Sequence, residues 1–156
     1  NNFMKKAILF LSLFACVLAF SGQIFAQRQI EVQVQRDPVL EADAAHNLEA
    51  AQLYFKTRKA YKAVLMRFEE TFAAYPDYSK MDEFLYLAAM SSYYLSENKG
   101  KQKIELKTLT EEEQKKYAPA KLREDAVAYF AMIVEKYPQS RFKADAEKVL
   151  KELQKK

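Results

Sequence analysis

The stretch that decides the fold, RFEETFAAYPDYSKMDEFLYL from Arg67 to Leu87, recurs in altered form as YFAMIVEKYPQSRFKADAEKVL from Tyr129 to Leu150. In each copy an apolar pattern of helical spacing ends at a Tyr-Pro pair, and a second helical pattern follows. The copies align at an offset of 62 residues, which pairs Phe68 with Phe130, Tyr75 with Tyr137 and Pro76 with Pro138. Proline disfavours helical backbone in the residue before it, so each pair predicts the end of a helix and a chain reversal. Repetition of this kind is typical of stacked helix pairs, because a single pair cannot bury its apolar face.

The remainder of the chain after position 37 also has helical periodicity. Asp37 and Pro38 predict a first helix, with the aspartate as N-cap and the proline in the first turn. The polar residues from Lys56 to Lys59 predict its end. With only two glycines in the chain, tight turns between strands are disfavoured. We therefore predict an all-α fold over residues 38–156, with about five main helices in tetratricopeptide-like (TPR-like) antiparallel pairs stacked as a short solenoid.

Residues 97–118 are predicted to form a charged insert between two of the main helices. The segment is rich in lysine and glutamate and has few apolar residues. Thr110 and Glu113 have the spacing of a capping box, which predicts a short helix ending near Tyr117. The rest of the insert is predicted to be a solvated loop, and the sequence leaves open whether it becomes ordered on binding a partner.

The N-terminus has the pattern of a secretory signal peptide over residues 1–26. Two lysines, Lys5 and Lys6, precede an apolar run that is too short to span a membrane comfortably. Two processing routes are open: cleavage between Ala26 and Gln27, or lipidation of Cys16 within an imperfect lipobox. Residues 27–37 alternate apolar and polar positions, which predicts an extended leader, either a tether or a strand that adds to the sheet edge of a partner.

The residues of the predicted mature chain do not favour catalysis. His46 is the only histidine, and Gly100 is the only glycine after the signal peptide, which leaves no basis for a glycine-rich phosphate loop. We predict no catalytic residue, no metal and no cofactor. After removal of residues 1–26 the chain has 23 basic and 21 acidic residues. This balance is near neutral and spread along the chain, and it does not predict nucleic-acid binding.

Tyrosines are more numerous than a small core requires, and they provide the candidate binding residues. Tyrosine and arginine bury a large area at low entropic cost, which favours them at binding hot spots. The predicted protein-binding residues on the concave face of the solenoid are Tyr54, Arg58, Tyr86 and Tyr93. The alternative is that these rings pack between helices with their hydroxyl groups at the surface.

The motif F-x₆-YP-x-S-x₄-D/E-A, as in FAMIVEKYPQSRFKADA, resembles the repeats of the BamD-like outer-membrane assembly lipoproteins. The first copy departs from it, because its serine is displaced to Ser79. The resemblance implies a non-catalytic scaffold in the periplasm, either soluble or anchored to the outer membrane. The implied partners are barrel-assembly components or unfolded outer-membrane clients. Two alternatives are a periplasmic adaptor similar to the partner of the Tol–Pal system and a small periplasmic hydrolase or metal protein.

Overall fold

The computed structural model describes residues 36–155, which form five long α-helices and one short one. The helices are α1 (Pro38–Leu53), α2 (Tyr61–Ala74), α3 (Met81–Ser96), α4 (Glu111–Lys116), α5 (Pro119–Lys136) and α6 (Lys143–Gln154). Residues 36–155 contain no β-strand, so the predicted all-α fold is confirmed. The predicted signal peptide with Cys16, Ala26 and Gln27, and the leader up to residue 35, lie outside the described residues.

The first two long helices pack as an antiparallel pair. The amide of Asn47 on α1 donates to the hydroxyl of Thr71 near the end of α2, at 3.2 Å. At the other end, the rings of Phe55 and Tyr61 lie 5.4 Å apart, where α1 stops and α2 starts. The start of each helix therefore lies beside the end of the other.

The same alternation continues through the later helices. The ring of Tyr61 at the start of α2 lies 5.0 Å from that of Tyr94 at the end of α3. Arg123 near the start of α5 donates to the carbonyl oxygen of Leu153 at the end of α6. The helices therefore run up and down, as the sequence predicts for stacked antiparallel pairs.

The two Tyr-Pro turns have the same backbone arrangement. Tyr75 and Tyr137 each donate their N–H to the carbonyl oxygen four residues earlier, and both leave the helical region with φ/ψ angles of −149°/75° and −123°/63°. Three residues on, Tyr78 and Ser140 donate back to the carbonyl oxygens of these tyrosines, at 3.3 and 2.9 Å. The offset of 62 residues read from the sequence is thus an offset between equivalent turns.

The core lies where α3 and α5 face each other and their neighbours. Phe68 and Phe130, the repeated phenylalanines, are fully buried, and so is Phe84 on α3. The Phe68 ring meets Phe84 edge-on at 5.6 Å, and the Phe130 ring meets Tyr86 in the same way at 6.2 Å. Helix α3 has the most buried positions of any described helix because it is packed by α2 on one side and α5 on the other.

The insert is more ordered than the sequence predicts. Its short helix α4 has the predicted capping box, in which Thr110 and Glu113 satisfy each other's backbone N–H groups. The loop that the sequence predicts to be solvated is partly buried, because Ile104, Leu106 and Leu109 pack against the core. Tyr117 at the end of the insert is 4% exposed. A few apolar side chains thus hold a charged segment onto the helices.

Helix α1 ends within the predicted polar break, Lys56 to Lys59, but its last residues are not regular α-helix. It continues as a π-helical turn over Tyr54–Arg58, and Lys59 then takes the left-handed conformation with φ = 50°. The backbone N–H of Ala60 donates to the carbonyl oxygen of Tyr54 and closes the turn. This wide turn brings α2 back along α1 without a glycine.

Candidate protein-binding surface

One end of the helical domain gathers basic side chains from two distant parts of the sequence. The backbone N–H of Lys101 in the insert donates to the carbonyl oxygen of Lys59 in the α1–α2 turn, at 3.1 Å. This bond holds the two loops side by side. We call their exposed cations the basic pole, which consists of Lys56, Arg58, Lys59, Lys99, Lys101 and Lys103.

Gly100 makes the contact between the two loops possible. Its φ of 108° is unfavourable for other residues. A Cβ at this position would lie 2.9 Å from both the carbonyl oxygen of Lys59 and the Tyr61 ring. The glycine therefore lets the insert backbone rest on an aromatic ring next to the turn.

A cluster of aromatic rings lies next to the basic pole. Tyr94 is stacked with Phe55 at 6.1 Å and with Tyr93 at 6.0 Å, and it contacts Tyr61. The ammonium group of Lys99 lies over the rings of Tyr93 and Tyr94, at 5.9 and 5.6 Å, and pairs with Glu97 at 2.6 Å. Aromatic faces attract cations, so these rings help to hold the basic side chains in place.

A small cleft opens beside the basic pole, between the end of α3 and the insert. It has a volume of about 230 Å³ and is lined by Leu95, Ile104, Leu106 and Tyr117, with Lys99 among its polar residues. Pockets for small-molecule ligands usually span about 300–1,000 Å³. The cleft is therefore better sized for a single anchoring side chain of a partner.

The four predicted binding residues do not all lie on the same surface. Tyr54 and Arg58 lie together in the π-turn, with the guanidinium carbon 5.8 Å from the ring centre, and Tyr93 borders the same end of the domain. Tyr86 instead stacks on Phe142 at 4.8 Å and joins α3 to the last helix pair. For Tyr86 the alternative of packing between helices describes the observed contacts better.

Several of the tyrosine hydroxyls are held in the neutral form. Burial raises the pKa of Tyr93, with a further increase from its hydrogen bond to Glu97. Burial also raises the pKa of Tyr61, with the neighbouring Tyr94 adding to it. Both hydroxyls therefore stay protonated well above neutral pH, and the single O–H of Tyr93 is used in its bond to Glu97.

The described residues do not assemble a cluster of metal ligands. Within residues 36–155 no three histidine, cysteine, aspartate or glutamate side chains converge as metal ligands. His46 is exposed on α1. What this part of the chain offers is contact area, cations and hydrogen-bond donors.

Sequence reasoning missed the basic pole because its cations come from segments some 40 residues apart. Each segment on its own looks like an ordinary charged loop. One signal was available, since no acidic residue occurs between Glu49 and Glu69 or between Glu97 and Glu105. The interpretation of the charge as spread along the chain did not include this cluster, which forms because the Lys59–Lys101 bond brings the two loops together.

None of the helices among residues 36–155 is long and apolar enough to cross a membrane. No family model, curated protein or solved structure matches this chain. The resemblance to BamD-like repeats therefore rests on the quoted motifs alone and stays a prediction.

Proposed function

We propose that this chain is a non-catalytic protein-binding scaffold of the bacterial cell envelope, of the BamD-like type that serves outer-membrane protein assembly. The observation that carries the proposal is the basic pole, supported by aromatic rings at one end of a stack of helix pairs. A scaffold of this kind requires no cofactor and no reacting groups. Its function is to hold a partner by shape and charge.

The chemistry of the basic pole favours a partner segment that combines acidic and aromatic or aliphatic side chains. Cations such as Lys101 and Arg58 would meet carboxylates, and the cleft beside Leu95 and Tyr117 would take an apolar anchor. Exposed ion pairs add little affinity individually but orient and speed association. The apolar anchor would supply most of the binding energy.

The placement in the envelope depends on the predicted signal peptide. Palmitate labelling that is lost in the Cys16→Ser variant supports an outer-membrane anchor. A soluble periplasmic product that begins at Gln27 supports the cleaved form instead. Recovery of the unprocessed chain from the cytoplasm would contradict the envelope proposal.

The partner is tested by cross-linking in living cells followed by purification from gently solubilised envelopes. We compare the parent chain with the double variant Lys99→Glu/Lys101→Glu, which reverses two charges of the basic pole. Barrel-assembly components or unfolded outer-membrane proteins should be recovered with the parent. Their yield should fall at least about tenfold with the variant, which corresponds to about 1.4 kcal/mol of lost binding.

The matched control is Lys80→Glu/Lys136→Glu. This variant makes the same change in charge at two exposed positions, one before α3 and one at the end of α5, away from the basic pole. It should leave the yield unchanged. Equal losses in both variants would mean that net charge rather than the basic pole controls binding, and recovery of Tol–Pal components would replace the assembly role with the adaptor role.

A further inference from the structure

Helix α1 exposes an unusual amount of apolar surface. Among residues 36–155, the large hydrophobic side chains that remain most exposed are Val39 (68%), Met66 (56%), Leu53 (48%) and Leu40 (37%), and three of the four belong to α1. The apolar residues on the side of α1 that faces away from its core positions Ala44, Leu48 and Ala51 recur at helical spacing. This outer stripe of α1 consists of Val39, Ala42, Ala50 and Leu53, with His46 at its centre.

The helix at the other end of the stack is different. The exposed positions of α6 include Lys148, Lys151 and Glu152, while Ala146 and Leu153 face the core. Stacked helical repeats require such a polar outer face on their terminal helices to remain soluble. Helix α6 meets that requirement, and α1, which is apolar on two sides, has the composition of a helix packed on both faces.

The charged side chains of residues 37–59 change sign where α1 gives way to the π-turn. From Asp37 to Phe55 the charged residues are all acidic: Asp37, Glu41, Asp43 and Glu49. From Lys56 to Phe68 they are all basic, beginning with Lys56, Arg58 and Lys59. Two copies of the segment 37–59, which is α1 with its π-turn, would place like charges side by side when parallel, whereas an antiparallel pair would bring the acidic start of each segment to the basic turn of the other.

We propose that α1 packs against α1 of a second copy of this chain, antiparallel and centred near Ala50, as the two-fold contact of a homodimer. Asp43 and Lys56 lie at similar distances along the helix on either side of Ala50. In this register Asp43 of each copy lies beside the Lys56–Arg58 turn of the other, and Leu53 lies beside His46. The small side chain at residue 50 permits close approach at the axis.

A second copy fits this face better than an unrelated helix would. It supplies both the matching apolar stripe and the reversed order of charges, and a two-fold contact needs only a self-complementary patch. One helix pair buries less than the roughly 1,600 Å² of a standard interface. We therefore expect a dimer with a dissociation constant in the micromolar range.

The register is tested by single-cysteine cross-linking of the purified full-length chain in mild detergent, with Cys16 replaced by serine. Ala50→Cys should cross-link to itself with a short bifunctional maleimide, since the two residues meet at the axis. Val39→Cys is the matched control on the same stripe. It should not cross-link to itself, because antiparallel pairing places the two copies of residue 39 about 33 Å apart.

The charge order is tested by exchanging one pair in the Ala50→Cys background. Asp43→Arg and Arg58→Asp should each lower the cross-linked yield several-fold, and the double exchange should restore it, because each residue then again meets an opposite charge. Leu53→Glu should lower the yield about tenfold. Circular dichroism checks that every variant keeps its helix content.

Three results would overturn the proposal. Self-cross-linking of Val39→Cys as strong as that of Ala50→Cys would mean parallel or random contact. A double exchange no better than the single variants would remove the antiparallel pairing. An absence of cross-linking at Ala50 at high micromolar concentration would mean that α1 does not pack against α1 of a second copy. The assay uses purified protein alone and does not depend on the partner proposed for the basic pole.

Discussion

Truncation of Phe130 to alanine should destabilise the domain by about 3–5 kcal/mol, the range found for large core truncations. The ring is completely buried and lies edge-on against Tyr86 at 6.2 Å. A buried phenylalanine removes about 150–200 Å² from water, and at about 25 cal/mol per Å² this is worth about 4–5 kcal/mol. Alanine keeps part of that contribution but leaves a cavity that the packed helices can close only partly.

The effect is measured by urea denaturation and thermal melting followed by circular dichroism. For a domain of this size each kcal/mol shifts the melting temperature by about 4 °C, so we expect a decrease of about 12–20 °C. Phe130→Leu, which retains much of the volume, should cost clearly less. Phe68→Ala should behave like Phe130→Ala, since Phe68 is equally buried at the repeated position.

The control is Met66→Ala, since this side chain is 56% exposed on α2 close to Phe68. Its effect should stay within about 0.5 kcal/mol, as for most surface substitutions. If the melting curve of Phe130→Ala overlays that of the parent, the ring is not part of the core and the stacking described here is incorrect. A loss in Met66→Ala as large as that in Phe130→Ala would also contradict it, because burial would then not decide the effect.

Three further predictions concern the insert and a partly buried tyrosine, Tyr129. Gly100→Ala should lower the free energy of unfolding, measured by urea denaturation, by about 1–3 kcal/mol. Residue 100 has a positive φ, and the new Cβ would lie 2.9 Å from the Lys59 carbonyl oxygen and the Tyr61 ring. An unchanged free energy would mean that the insert does not pack on the turn. Thr110→Ala should cost about 1 kcal/mol through loss of the capping box, seen as faster amide exchange in α4, and unchanged exchange would contradict this. Burial raises the pKa of Tyr129 to about 12, with Asp125 and Glu69 adding to the shift. Its contribution to stability is therefore complete below pH 10 and is lost as the pH rises from 10 to about 12; the Tyr129→Phe variant should lose less stability over that range, measured by denaturation at each pH, and an identical decline in both proteins would argue against it.

Much of the helical architecture could be predicted because it depends on local physics. The Tyr-Pro pairs end their helices through a steric restriction on the residue before proline, and this restriction acts in any surroundings. The repeated phenylalanines could be assigned to the core from their position on apolar faces. The short helix of the insert could be predicted because Thr110 and Glu113 cap it from within the same turn.

The features that the sequence did not reveal depend on contacts between distant segments. The π-turn at the end of α1 and the ordering of the insert both involve the meeting of residues 59–61 with residues 99–101. Periodicity describes one helix at a time and contains no information about which loops meet. The packing of Tyr86 also depends on a contact between distant segments, because its ring stacks on Phe142, which lies far away in the chain.

The sequence by itself determined that this protein consists of amphipathic helices, where they reverse and which residues repeat. Those properties follow from side-chain spacing and proline sterics, which act over a few residues. Only the tertiary structure decided that the cations of two loops form one basic pole, and that α1 keeps an apolar stripe in solvent. Both depend on which faces are covered when the helices stack, and that is set by contacts across the whole domain.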